Sequence, residues 1–261
     1  MMNAAPPTVA EPPVPPPPKE DLRTKVPRWL IRAIAVYTAI AIPIIVLAVM
    51  VGSHDPAAKA IILMGLGLVV IWCLGCGSIM LRYAENFRGW IARWNLRWEW
   101  KFVGGATVFA LAEEVVTTSL TNVVPPFFGV TSAQAHITAS SNYLIVICFS
   151  SVVVFVPEFV GWVFLLRRVT FTPNEVFLLY GFLGTTMEAS INPTALFAGF
   201  WFFVYGLMVY LPAYALPTRP NAVRPRWWHY VLSYIVPLAC ALPVVAADTL
   251  LARALGITLW H

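Results

Sequence analysis

Charge is scarce in this chain. Asp, Glu, Lys and Arg make up 11% of its 261 residues, against 59% hydrophobic side chains, whereas a soluble domain carries about 25% charged residues. With a mean hydropathy of +0.76, that shortage excludes a soluble domain. Cysteine and histidine are also few, four of each. Cys73, Cys76, Cys148 and Cys240 all fall in apolar runs, where cysteine acts as a small buried hydrophobe, so no disulfide framework is expected. Cys73-Leu-Gly-Cys76 has the spacing of a redox dithiol, but between Gly75 and Gly77 it reads as a small-residue packing surface. His54 and His136 fall in loops, His229 at a helix end and His261 at the C-terminus. No imidazole is therefore expected inside a membrane, and neither a metal nor a cofactor is implied. There is no phosphate-binding glycine loop and no Ser/His/Asp arrangement that falls in one site.

What is abundant is apolar length. A membrane-spanning helix needs about 20 apolar residues, and such runs recur about seven times, at 30–51, 60–81, 102–124, 143–166, 174–189, 194–212 and 230–250. The chain reads as an all-α, polytopic transmembrane helix bundle. Residues 1–28 stand apart as a disordered cytoplasmic tail, with eight prolines between positions 6 and 18. Residues 29–261 form a single transmembrane helical domain.

Orientation follows from Lys and Arg. One set of segments carries Lys19, Arg23, Lys25, Arg28 and Arg32; Arg82, Arg88, Arg93, Arg97 and Lys101; Arg167 and Arg168; and Arg219, Arg224 and Arg226. The opposite side has only Lys59 and Arg253. This asymmetry predicts a cytoplasmic N-terminus and an outside C-terminus, in a bacterial inner (plasma) membrane. The net charge of +5 lies between hydrophobic runs rather than on one soluble face, so the bilayer and its anionic headgroups are the expected partner and nucleic acid is not. Trp90, Trp94, Trp98 and Trp100, interleaved with Arg88, Arg93 and Arg97, read as an interfacial segment.

The acids inside the runs carry the functional information, because an ionisable group at a helix centre costs about 2.5 to 3.5 kcal/mol on insertion scales. Glu113, Glu114, Glu158 and Glu188 qualify, with Asp248 nearer the outer surface, and no Lys or Arg lies at their depth. They must be protonated, hydrogen-bonded, wetted or occupied by a cation. At about 100° per residue, Glu114 shares a stripe with Thr107, Thr118 and Thr121, while Glu113 lies about 100° away, toward a helix contact. Glu188 lines up with Gly181, Gly184, Thr185 and Asn192, a stripe that lets another helix approach closely. Glu158 follows Pro157 and shares a face with Ser151. Carboxyls bonding neighbouring helices as interhelical glue would leave the same pattern.

Ala112-Glu113-Glu114-Val115 resembles the first motif of the intramembrane glutamate-type proteases, the CAAX-prenyl-protease and bacteriocin-processing family and its PrsW-like relatives. The stretch from Tyr180 to Ala189 is similar to the Gly-rich, Glu-bearing helix of the PrsW-like branch. The resemblance implies a membrane-embedded peptidase, or an inactive relative of one, in which glutamates activate a water for attack on a peptide carbonyl. It implies a membrane protein or peptide as substrate. Thr117 and Thr118 stand where the prenyl-protease motif has a basic residue, and the later buried histidines are missing. Two other classes fit the same residues. Buried acids suit a small proton- or cation-coupled transporter, and the aromatic content with the Pro-rich tail suits a structural subunit of a larger membrane complex.

Overall fold

The computed structural model describes residues 22–259, so the proline-rich stretch up to residue 21 lies outside the described residues. The architecture is all-α, and no strand forms among the described residues beyond one parallel bridge between Val169 and Val223. In chain order the helices are α1 (Leu22–Gly52), α2 (Pro56–Leu68), a π-helical stretch (Val69–Cys76), α3 (Gly77–Arg82), α4 (Ala84–Ala92) and α5 (Trp98–Val123). They continue as α6 (Tyr143–Phe149), α7 (Val152–Leu166), α8 (Pro173–Ile191), α9 (Ala195–Ala198), α10 (Trp201–Tyr214) and α11 (Trp227–Ala254).

Four stretches are long and apolar enough to cross a membrane: Leu22–Gly52, Pro56–Arg82, Trp98–Phe128 and Trp227–Ala254. The pair α6 and α7, bent by 41° where the helix breaks at Ser150 and Ser151, makes a fifth candidate when taken as one span. The outer surface is apolar where a soluble protein would be polar: Ile40, Ile44, Leu47 and Val51 on α1 and Leu242 and Leu250 on α11 are all exposed. Such a contiguous apolar belt belongs against lipid. The chain is a multi-pass membrane protein.

Three boundaries differ from those read off the sequence. Residues 22–28, expected in the tail, are helical, because Arg23 is tied to the start of α8 and Pro27 is buried. The run 143–166 is two helices rather than one. The run 194–212 is also broken, since Gly199 adopts φ 71° after a single turn of α9, and α10 holds only 14 residues. At 1.5 Å per residue α10 is about 21 Å long, short of a hydrocarbon core of about 30 Å.

α8 and α10 form a hairpin packed into the bundle, and small residues set how closely they meet. A Cβ on Gly181 would fall 2.5 Å from the Phe202 carbonyl oxygen, and one on Gly206 would fall 2.6 Å from the Phe177 ring. The hairpin stops well inside the bundle. At its tip the Tyr37 hydroxyl of α1 donates to the Phe197 carbonyl at 2.7 Å, and Phe200 packs on Gly65 of α2. Tyr37 lies fifteen residues before the end of α1, about 22 Å, and Gly65 nine residues after the start of α2, about 14 Å. Trp72, in the π-helical stretch, donates its indole N–H to the Val204 carbonyl at 3.1 Å, fastening α10 to the second span.

The basic segments meet at the other end of the bundle. Arg23 pairs with Glu175 at 3.0 Å, Arg97 and Arg167 share Glu99 at 3.0 and 3.1 Å, and Arg88 holds Glu85 at 2.7 Å. Tyr214 donates to the same Glu85, and Arg219 donates to the Leu166 carbonyl while its guanidinium lies over the Trp98 ring.

Candidate functional site

Glu113 and Glu114 sit midway along α5, where Ala106 and Ala110 let α10 and α7 pack against it. Both are buried, at 4% and 5% exposure. Adjacent residues on a helix point about 100° apart, and here both directions lead into protein. Glu114 accepts a hydrogen bond from the Thr117 hydroxyl at 3.2 Å, and the Ser151 hydroxyl at the α6–α7 break faces the same carboxylate. Glu113 lies close enough to Glu114, to Glu188 and to Cys73 for their charges to act on one another.

Glu188, one turn before the end of α8, is half-buried beneath the hairpin tip. It receives the Tyr205 hydroxyl of α10 as a donor. The Tyr205 ring lies against Gly184, where a Cβ would meet ring carbon Cγ at 2.0 Å. Glu113 and Glu114 lie within electrostatic range of the same phenol, which hydrogen-bonds to Glu188.

Glu158 stands apart from this group. On α7 it is 1% exposed, and its Oε2 accepts the Tyr180 hydroxyl of α8 at 2.8 Å. Among the described residues its Oε1 has no hydrogen-bond partner, nor has the indole N–H of Trp162 one turn later on the same helix. The two tyrosine rings lie 6.5 Å apart edge to face, so Glu158 connects to the cluster only through aromatic contact. Asp248 is half-buried toward the C-terminal end of α11 and joins none of these contacts among the described residues.

Sequence reasoning pointed to four glutamates, and the fold gathers three of them. It missed Tyr180 and Tyr205. The available signal was that a tyrosine inside an apolar run needs a partner for its hydroxyl. Ser151, placed on the Glu158 face by helical spacing, is the N-cap of α7, and its hydroxyl serves Glu114. The threonine stripe mostly serves the backbone: Thr107 donates to the Val103 carbonyl at 2.8 Å, and Thr121 accepts the Ile137 amide at 3.3 Å. His136 lies in the loop between α5 and α6, between Ala135 and Ile137. Among the described residues no three His, Cys, Asp or Glu side chains are arranged to hold a metal ion.

The chemistry these groups offer is acid–base and hydrogen-bonding. Carboxyls in a low-dielectric interior, with Glu114, Glu158 and Glu188 each beside a hydroxyl, can hold a water or move a proton. A tyrosine hydroxyl can also donate to an oxygen that gains negative charge. No protein-family model, curated protein or solved structure matches the chain.

Proposed function

We propose that Glu113, Glu114 and Glu188 with Tyr205 form one intramembrane acid site, and that the chain is a hydrolase of the glutamate type acting on a membrane-embedded peptide. The observation that carries this reading is the Tyr205 hydroxyl donating to Glu188 within electrostatic range of Glu113 and Glu114. In this reading Glu114, steadied by Thr117 and Ser151, takes a proton from an attacking water. Tyr205 has one O–H, which rests on Glu188; with substrate bound it turns to donate to the oxygen that becomes negative, filling the role that a buried histidine would otherwise have, and the proton taken by Glu114 passes to the leaving amine. The Glu113-Glu114 pair and the Gly-rich α8 are the residues of the glutamate-protease resemblance, and both fall at this site.

The topology belongs to the same proposal. Of the seven apolar runs, five cross fully, while α8 and α10 enter and return as a re-entrant hairpin that brings Glu188 and Tyr205 to mid-membrane. Five crossings keep the N-terminus cytoplasmic and the C-terminus outside, as seven would, and the gathering of the basic segments at one end supports that orientation. A bacterial plasma membrane is the setting implied.

A second reading is a proton- or cation-coupled transporter. It draws on three glutamate–tyrosine pairs spaced along the α8 hairpin: Glu175 with Tyr230 at 2.8 Å, Glu158 with Tyr180 at 2.8 Å, and Glu188 with Tyr205. Such a ladder suits proton relay. Proteoliposomes separate the two readings. The hydrolase reading expects cleavage of a fluorogenic transmembrane-peptide library, lost in Glu114→Gln and Glu188→Gln variants that still insert. Dissipation of an imposed pH gradient without cleavage, abolished by the same substitutions, would replace it with the transporter.

A further inference from the structure

α3 and α4 meet at Tyr83, where the backbone leaves the helical path (φ −106°, ψ 17°), so the two short helices form an elbow. Between this elbow, α5 and α10 lies a cleft of about 370 Å³, lined by Ile79, Tyr83, Asn86, Trp90, Phe109 and Leu211. Its floor is buried Leu211, while Ile79, Tyr83 and Trp90 form exposed walls. The cleft opens on the outside of the bundle, at the end where the basic segments gather, and that surface of a membrane protein faces lipid. Tyr83, Asn86 and the Trp90 indole N–H are the polar groups at its edge and the rest of the lining is apolar, so the ligand that fits it has an apolar chain.

The charges around the cleft select the other end of that ligand. Arg82 lies one turn after Ile79, and Arg93 one turn after Trp90. Both are exposed, and neither forms an ion pair among the described residues. Their neighbours are committed: Arg88 pairs with Glu85 at 2.7 Å and stacks over Tyr214, and Arg97 pairs with Glu99 at 3.0 Å. Two uncommitted guanidiniums thus flank an apolar cleft. Arginine is weakly hydrated and matches phosphate oxygens bidentately, and basic residues beside a span attract anionic lipid, each worth about 1 kcal/mol near the surface. The contact of Trp90 with Trp94, rings 4.5 Å apart and edge to face, holds the wall at the depth where indoles prefer to sit.

We propose that this cleft is a binding site for an anionic phospholipid, taking one acyl chain between the elbow and α5, with Arg82 and Arg93 supplying the charge that selects the phosphate headgroup. The site is separate from the buried acids and does not depend on their role. The full-length protein in detergent, titrated in turn with phosphatidylglycerol and phosphatidylcholine, tests it, with bound lipid counted by native mass spectrometry. The wild type is expected to retain one phosphatidylglycerol at least tenfold more tightly than phosphatidylcholine. R82Q/R93Q is expected to bring the two lipids to near parity. I79W, which fills the cleft from an exposed position, is expected to weaken both without lowering the thermal midpoint. Equal retention of the two lipids by the wild type would overturn the proposal. So would a preference that survives R82Q/R93Q, or binding unchanged by I79W.

Discussion

Tyr205 donates its hydroxyl to Glu188 while its ring rests on the bare backbone of Gly184, where a Cβ would lie 2.0 Å from ring carbon Cγ. The glycine therefore makes the hydrogen bond geometrically possible. Gly184→Ala must displace a buried ring, and it is expected to cost roughly 1–3 kcal/mol, the usual range for overpacking, read as a lower thermal midpoint in detergent. Gly104→Ala on α5, where an added methyl meets nothing within 4 Å, is expected to hold or raise the midpoint by removing backbone freedom. Equal losses from the two substitutions would remove the ring contact as the cause.

Among the described residues Glu158 has Tyr180 as its one side-chain hydrogen-bond partner, since its other oxygen has none there. Tyr180→Phe leaves the whole carboxyl without one. Interhelical hydrogen bonds inside membranes average about 0.6 kcal/mol with a maximum near 1.7, and the upper end is expected here because the environment is dry. Unfolding of the variant in mixed micelles measures it, and no change would mean that a water already serves Glu158.

Glu175 closes the basic end of the bundle. It caps α8 with Thr172 and takes a bidentate pair from Arg23, at 3.1 and 3.0 Å, together with the Tyr230 hydroxyl. It is 3% exposed and Arg23 is 22% exposed. Removing one partner of a fully buried pair costs about 3–5 kcal/mol, and the partial exposure of Arg23 brings the expected loss below that. Arg23→Gln is expected to speed amide hydrogen exchange at 172–176 and to loosen the start of α1. Exchange confined to wild-type rates would show that the capping box holds this end unaided.

The orientation is testable with reporters. A fusion after position 261 is expected outside and one within 219–226 in the cytoplasm, and a cysteine at Thr194, on the hairpin tip, is expected to resist an impermeant thiol reagent applied from the cytoplasmic side. Both fusions on one side, or free labelling of position 194 from the cytoplasm, would contradict five crossings with a re-entrant hairpin.

The membrane class, the basic end and the candidate acids were legible because each rests on composition or on a single helix. Apolar length marks a span, and an unpaired glutamate in such a span stands out by cost alone. The hairpin was not legible, because 174–189 and 194–212 have the composition of spans. Gly199 at φ 71° and the contact of Tyr37 with Phe197 become visible only once α1 lies beside the tip. The stripe of Gly181, Gly184 and Glu188 did signal close approach by another helix. Which helix would come, and that it would bring Tyr205, depended on pairing across seventeen residues that no periodicity encodes. That the Ser151 hydroxyl would reach Glu114 across to α5 is likewise a pairing between helices that spacing along one helix does not encode.

The most direct test of a single shared site is a double-substitution cycle between Glu114 and Tyr205, two residues on different helices with no covalent proximity. In proteoliposomes, kcat/KM for the cleaved library peptide is measured for the wild type, Glu114→Gln, Tyr205→Phe and the double variant. Loss of a general base or of an oxyanion donor costs on the order of 10²- to 10³-fold, and groups that act as a unit are strongly non-additive. The double variant is expected to fall no further than the worse single variant. Losses that multiply, or a Tyr205→Phe variant as active as the wild type, would contradict one site built from the three carboxyls and the phenol.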